Sequence, residues 1–253
     1  MPHLISNRER VYKLTEGRED LRKQFRWESL NAVLYKIGGL TFVVGSFFFY
    51  PALSAYLNVG AFTFFVGSIL YLIVTTHDLL EVSNHLRREP EASRNERLEL
   101  VAAFAYQTGT VLFTVGSLLF LSWFDQIFWG AWCFIVGSFQ FVVGAAVNVL
   151  QVPEKGPKSS LQLVNLTAVT FVTGSVLFLV ASVPYLWPVS SGGLEDTLDA
   201  FLASQYLVGS ILFLAGGITN YFRAYIFMRR QIAARKHGKP GKGGGQVPAP
   251  AGS

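Results

Sequence analysis

The sequence has few of the residues that build covalent or metal-bound sites. It has one cysteine, Cys133, in the apolar stretch WCFIVGSF, so an internal disulfide and a cysteine metal cluster are excluded. Its four histidines include no H-x-x-x-H pair, and no histidines are expected to face each other as haem ligands. No Ser, His and acid, and no paired acids, are expected at one depth. We therefore expect no cofactor, no catalytic or metal-binding residue and no enzymatic activity.

Charge is also scarce. Charged residues make up 15% of the chain and hydrophobic residues 51%, with a mean hydropathy of +0.38. A soluble domain needs about a quarter of its residues charged. The charges are clustered and leave long apolar stretches between them. The first 28 residues are charged and show no cleavable signal, so the first apolar stretch is expected to direct membrane insertion.

Six apolar stretches reach the roughly 20 residues that a helix needs to cross the hydrocarbon core. They predict an all-α integral membrane protein with these transmembrane helices: Ser29–Tyr50, Asn58–Leu80, Leu98–Leu121, Ile127–Leu150, Leu161–Val183 and Ala200–Phe222.

Basic residues predict the orientation. Of the 21 Lys and Arg residues, 20 fall before the first stretch, after the last, or in the second and fourth loops, and the remaining one, Lys36, lies inside a stretch. The other three loops contain only acidic charges, among them Asp125 and Glu195. Because cytoplasmic loops are enriched in Lys and Arg, we expect both termini on the cytoplasmic side of the cell membrane. Anionic lipid headgroups are the expected partners of the basic side, and nucleic acid is not expected.

A short phrase is repeated once in each stretch: VVGSFFF, FVGSILY, TVGSLLF, IVGSFQF, VTGSVLF and LVGSILF. The repeat indicates three tandem helical hairpins, at residues 27–80 (hairpin 1), 97–150 (hairpin 2) and 161–223 (hairpin 3, with a longer outer loop). A basic arm, 1–26, precedes them, either as an amphipathic helix on the membrane or as a solvated segment. A basic and then disordered tail, 224–253, follows. Small residues recur seven positions from the repeated glycines, which predicts close helix packing at Gly45, Gly67, Gly116, Gly137, Gly174 and Gly209.

The clearest copy, Trp27–Asp78, contains GGLTFVVGSFFF and then FFVGSILY. It resembles the YrhK-like domain, a small bacterial membrane domain. The copy Arg97–Asn148 is similar, and the third copy is more divergent. The resemblance implies a two-helix membrane fold for each copy, and it implies no activity or catalytic residues.

Alignment of the copies on their Gly-Ser pairs also predicts one polar pair per hairpin near the inner membrane surface. The pairs are Lys36 with Asp78, Gln107 with Asn148, and Asn165 with Asn220. Polar groups at this depth require partners or water, and ionisable ones are candidates for a functional site. Hydrogen-bonded clasps that only stabilise the hairpins would explain the recurrence equally.

The sequence therefore predicts a non-enzymatic multi-pass membrane protein that acts as a scaffold, a sensor or a lipid-interacting module. A small-solute or ion transporter that uses the inner polar layer is the alternative. The repeats are parallel, and the inverted repeats common in secondary transporters are absent. A homo-oligomer or a protein partner is compatible with the sequence, which names neither.

Overall fold

A computed structural model describes residues 18–88, 93–150, 158–187 and 194–236. The predicted 224–253 tail and 1–26 arm therefore fall largely outside the described residues, as do some side chains within the helices. The described chain forms six α-helices: α1 Arg18–Phe47, α2 Leu57–Arg88, α3 Arg94–Leu119, α4 Ile127–Val149, α5 Lys158–Ser182 and α6 Leu194–Lys236. Short 3₁₀ helices, Pro51–Tyr56 and Val183–Leu186, lie in two of the loops.

Each helix contains a segment long and apolar enough to cross a membrane, so the predicted all-α class and the six stretches are confirmed. The helices extend past the predicted stretches at one end of the molecule, where α1 begins at Arg18, α2 continues to Arg88 and α6 to Lys236. We call this the basic end, because exposed arginines such as Arg87 and Arg229 lie there. The opposite, acidic end carries exposed Asp125, Glu195 and Asp196.

The six helices form a closed ring. Each helix packs against its neighbours in sequence, and α1 also packs against α6. Hairpin 1 is α1 with α2, hairpin 2 is α3 with α4, and hairpin 3 is α5 with α6. The outward faces are apolar, and every helix has exposed apolar side chains, for example Leu40, Phe62, Phe104, Phe139, Val169 and Ile211. An apolar outer face around a polar-containing interior is the arrangement expected in lipid.

Glycines fix how the two helices of a hairpin face each other. A Cβ built on Gly38 would lie 3.1 Å from the carbonyl oxygen of Gly67, and one on Gly67 would lie 3.0 Å from that of Gly38. Hairpin 2 has the same reciprocal contact between Gly109 and Gly137, at 2.9 and 3.0 Å. The backbones therefore touch at these levels, which small residues allow in membrane helices.

The Gly-Ser glycines of hairpins 1 and 2 do not lie opposite each other. Gly45 faces Gly60 instead of Gly67, with a built Cβ 3.2 Å from the Gly60 carbonyl oxygen. The partner helix is thus displaced by seven residues, about 10 Å, from the level that an alignment of the Gly-Ser pairs predicts. In hairpin 3, by contrast, Gly174 does face its counterpart Gly209, at 3.0 Å.

Hairpin 3 therefore matches the other two with a shift of one heptad. Gly174 occupies the place of Gly38 and Gly109, so that Phe178 corresponds to Phe42 and Phe113. The distances between ring centroids show the correspondence. Phe42–Tyr71, Phe113–Phe141 and Phe178–Phe213 are 5.1, 5.0 and 5.2 Å apart. The structural counterpart of the first Gly-Ser pair in hairpin 3 is thus Ala181-Ser182.

Aromatic rings fill the centre of the ring of helices. Phe64, Phe134 and Tyr206, one from each hairpin, form a nearly equilateral triangle with centroid distances of 6.2–6.3 Å. All three side chains are at most 4% exposed. The three tandem hairpins therefore give the bundle three-fold pseudosymmetry, with aromatic side chains on the pseudosymmetry axis. The hydrophobic core lies along this axis.

Candidate functional site: the polar groups inside the bundle

The Gly-Ser serines are buried at 0–1% exposure. Four of them donate a hydrogen bond to the carbonyl oxygen four residues earlier: Ser46, Ser117, Ser175 and Ser210. Ser46 and Ser210 also lie 3.2 Å apart between their hydroxyl oxygens, across the contact of α1 with α6. The hydroxyl groups of these four serines therefore have hydrogen-bond partners within their own helix, and the bonds give the serines a structural role.

Lys36 lies against a different hairpin from the one that the sequence predicts. Its ammonium group is 4.0 Å from the centroid of the Tyr221 ring on α6. Within the described residues, no ion pair joins Lys36 to Asp78. The reason is the displaced register: with Gly38 opposite Gly67, Lys36 is opposite Ile69, and Asp78 lies roughly nine residues, or about 13 Å, further along α2.

Gln107 and Asn148 also have separate partners. The amide of Gln107 donates to the Thr76 hydroxyl of α2 at 3.0 Å, which joins hairpin 2 to hairpin 1. Asn148 donates to the Tyr106 hydroxyl at 3.3 Å, within hairpin 2. Neighbouring residues of a helix point about 100° apart, so Tyr106 faces α4 while Gln107 faces α2. The predicted pair is not formed.

The third predicted pair, Asn165 with Asn220, falls on side chains outside the described ones. The backbone register, with Gly174 opposite Gly209, brings these two positions within about 3 Å of the same level. Because hairpin 3 is shifted by one heptad, however, Asn165 is not the structural counterpart of Lys36 and Gln107. Val172 occupies that place.

The structure also buries Asn31, Asp78 and Glu99 near the basic end, and of these three the repeat alignment predicts only Asp78. Asp78 and Glu99 are 0% and 1% exposed, and Asn31 is 1% exposed. The Asn31 amide nitrogen lies 3.4 Å from His77 Nδ1, which is 4.0 Å from Asp78 Oδ1. Both carboxylates have further partners, as burial of charge requires. The Asn31–His77–Asp78 group therefore joins α1 to α2 through polar side chains.

A second contact joins α2 to the start of α3. His85 Nε2 lies 3.3 Å from Glu96 Oε1. Glu96 also accepts hydrogen bonds from Ser93, whose side chain caps α3 in a capping box. The sequence contains a pattern that predicts these buried polar residues of α2. Tyr71, Asp78 and His85 follow one another at seven-residue intervals and so share the axial face of the helix. Glu99 gives no comparable signal.

The described residues bring together no group of three His, Cys, Asp or Glu side chains that could hold a metal ion. The polar contacts that the structure does show join helix to helix. Those of Gln107 with Thr76 and of Ser46 with Ser210 connect different hairpins, while those of Asn148 and of the Asn31–His77–Asp78 group lie within one hairpin. The arrangement can therefore hold the ring together and can place charge at the basic end.

Comparison with known proteins finds a family match for two regions of the chain. The family described as YrhK-like protein matches residues 25–83 and 96–152, which correspond to hairpins 1 and 2. Two tandem regions of the chain thus match the YrhK-like family. Hairpin 3 lies outside the matched residues, yet it repeats the packing of hairpins 1 and 2 with its shift of one heptad. No curated protein and no solved structure matches the chain.

Proposed function

We propose that this tandem YrhK-like protein is a non-enzymatic membrane module that conducts no solute along its axis and that binds anionic lipid headgroups at its basic end, on the cytoplasmic side. The observation that carries the first part is the triangle of Phe64, Phe134 and Tyr206, whose rings occupy the axis at centroid distances of 6.2–6.3 Å. A continuous aqueous path along the axis would require these rings to separate.

The surface charges support the second part. Four described arginines at the basic end are exposed: Arg87, Arg94, Arg97 and Arg229. Each basic residue near an anionic bilayer surface contributes about 1 kcal/mol of attraction. Exposed Phe222 and Ile226 on the extension of α6 provide apolar side chains beside Arg229, a combination typical of segments that lie at a membrane surface.

Thiol labelling tests the sealed axis and the orientation together. In a Cys133→Ser background, Ser68→Cys places a thiol on the axial side of α2, whereas Ser122→Cys and Arg87→Cys place exposed thiols at the acidic and basic ends. Charged, membrane-impermeant thiol reagents are applied to right-side-out and inverted vesicles. We expect Ser122→Cys to be labelled only from outside, Arg87→Cys only from the cytoplasmic side, and Ser68→Cys from neither.

Labelling of Ser68→Cys, blocked by a solute, would instead favour the transporter. The lipid proposal has its own test, in which the four arginines are changed to Gln and lipid binding is measured in mixed vesicles. We expect the preference for anionic over zwitterionic lipid to be lost. The matched control, Glu195→Gln with Asp196→Asn at the acidic end, should leave the preference unchanged; an equal loss in the control would contradict headgroup binding at the basic end.

A further inference from the structure

A cavity lies inside the ring of helices, on the basic side of the Phe64 triangle. Its volume is about 30 Å³, and all six helices contribute to its wall. Tyr71, Phe141 and Phe213, structural counterparts in the three hairpins, form one layer of the wall. Tyr35 and Phe171, at 5.8 Å between ring centroids, also line the cavity, and the Tyr35 ring lies 4.1 Å from the Tyr71 ring.

The wall of the cavity consists almost wholly of carbon. Eight of its lining side chains are aromatic, and none carries a carboxylate, an amine or an imidazole. The hydroxyl oxygens of Ser68 and Tyr71, two of the lining residues, are buried and have no hydrogen-bond partner among the described residues. They expose little polar surface to the empty space. Ions and charged solutes would lose their hydration here without compensation.

The volume limits the size of an occupant. A cavity needs about 10–15 Å³ of such volume for one water-sized molecule, so 30 Å³ accommodates two or three heavy atoms. A water molecule requires two to four polar partners, whereas cavities with apolar walls remain dry and bind apolar molecules or xenon. The surrounding lipid also concentrates apolar solutes beside the protein, because their transfer from water is favourable.

We propose that this axial cavity is a binding site for a small uncharged apolar molecule, of the size class of a dissolved diatomic gas. Dispersion contacts with the rings hold such a molecule, and no hydrogen bond is required. This site is separate from the lipid-binding surface of the proposed function, and it does not depend on that function. Xenon is the probe, because it is uncharged and apolar and its anomalous scattering locates it.

The test uses crystals of the full chain pressurised with xenon. We expect an anomalous peak inside the cavity, enclosed by its aromatic lining. Thr110→Leu adds carbon atoms to the wall and should abolish the peak. Thr114→Leu is the matched control: Thr114 is also buried on α3 and also bonds the carbonyl four residues earlier, but it does not line the cavity, so the peak should persist.

If Thr110→Leu does not fold, Thr75→Leu on the facing helix α2 fills the same space and replaces it. Two results would overturn the proposal. One is ordered water in the cavity of the wild-type protein, bonded to the hydroxyl of Ser68 or Tyr71, with no xenon peak. The other is a xenon peak of equal height in the cavity-filling and control variants, which would place the binding elsewhere.

Discussion

Substitution of the facing glycines of hairpin 2 tests the register on which the fold depends. A Cβ on Gly109 would lie 2.9 Å from the Gly137 carbonyl oxygen and 2.7 Å from the Phe141 ring, and one on Gly137 would lie 3.0 Å from the Gly109 carbonyl oxygen. The aromatic rings can shift, but a backbone oxygen can move only if the helices separate. Overpacking of this kind costs typically 1–3 kcal/mol, so Gly109→Ala and Gly137→Ala should each destabilise the protein by about that amount.

The two substitutions should also be coupled. Once α3 and α4 have separated by a few tenths of an ångström to admit the first methyl group, the second fits at lower cost. The double variant should therefore lose less stability than the sum of the single variants, with a coupling of about 0.5–3 kcal/mol, as contacting residues show. Unfolding by SDS titration in mixed micelles, followed by tryptophan fluorescence, provides the free energies.

Gly39→Ala is the matched control. It introduces the same methyl group on a helix, but its nearest contacts are atoms of Leu214 at 3.3 Å. The counterparts of Gly39 in the other hairpins, Thr110 and Ser175, already carry larger side chains in the same place. We therefore expect a loss below about 1 kcal/mol, the lower limit of overpacking. Equal losses for Gly39→Ala and Gly109→Ala, or strict additivity of the hairpin 2 pair, would refute the register.

Three further outcomes test individual contacts by the same unfolding titration. Gln107→Leu and Thr76→Val should each destabilise the protein, and a double-mutant cycle should give a coupling of about 0.6–2 kcal/mol; zero coupling would contradict their hydrogen bond. Tyr221→Leu should cost roughly 0.5–2 kcal/mol more in the wild type than after Lys36→Met, because the cation over the ring is then absent. Tyr206→Phe removes one buried hydrogen bond of the hydroxyl group and keeps the aromatic ring, so the loss of stability should be about 1 kcal/mol. A loss above about 3 kcal/mol would show that the hydroxyl group makes further stabilising contacts.

The helices and their number are predictable from the sequence because they depend on length and hydropathy alone. The predicted stretch Ile127–Leu150 differs from α4 by a single residue. The residues at which the helices end on the basic side of the molecule are less predictable. α1 and α6 continue well beyond their apolar stretches, because charged residues permit a helix to continue into water, where hydropathy no longer marks its limit.

The polar pairs are not predictable in the same way, because they depend on register. An error of seven residues leaves every residue on nearly the same helix face and changes only its level, so the sequence periodicity of α1 and α2 is equally compatible with Gly45 opposite Gly67 or opposite Gly60. Contacts between backbones decide between the two, and in hairpins 1 and 2 they favour the second. Lys36 and Asp78 are then too far apart in level to form a pair.

The aromatic pattern contains the information that the Gly-Ser alignment lacks. Every Gly-Ser glycine has an aromatic residue three positions before it and four positions after it. The glycine faces the other helix of its hairpin, and the aromatic residues face the axis. Because adjacent residues differ by about 100°, the serine that follows the glycine turns towards a different neighbour, as the contact of Ser46 with Ser210 shows.

The Gly-Ser motif with its flanking aromatic residues thus supplies three kinds of contact in the closed ring of helices. These contacts lie within the hairpin, between hairpins and along the axis. A hairpin can slide by a whole heptad and keep all three, since seven residues return each side chain to nearly the same face. Hairpin 3 has done so, with Ala181-Ser182 in the place of Gly45-Ser46 and Gly116-Ser117. Ser182 retains the bond to the carbonyl four residues earlier, at 2.7 Å. Hairpin 3 therefore differs from hairpins 1 and 2 by a change of register within the same packing. The pseudo-threefold arrangement of the helices persists because the three hairpins share the axial aromatic side chains and not the levels of their Gly-Ser pairs.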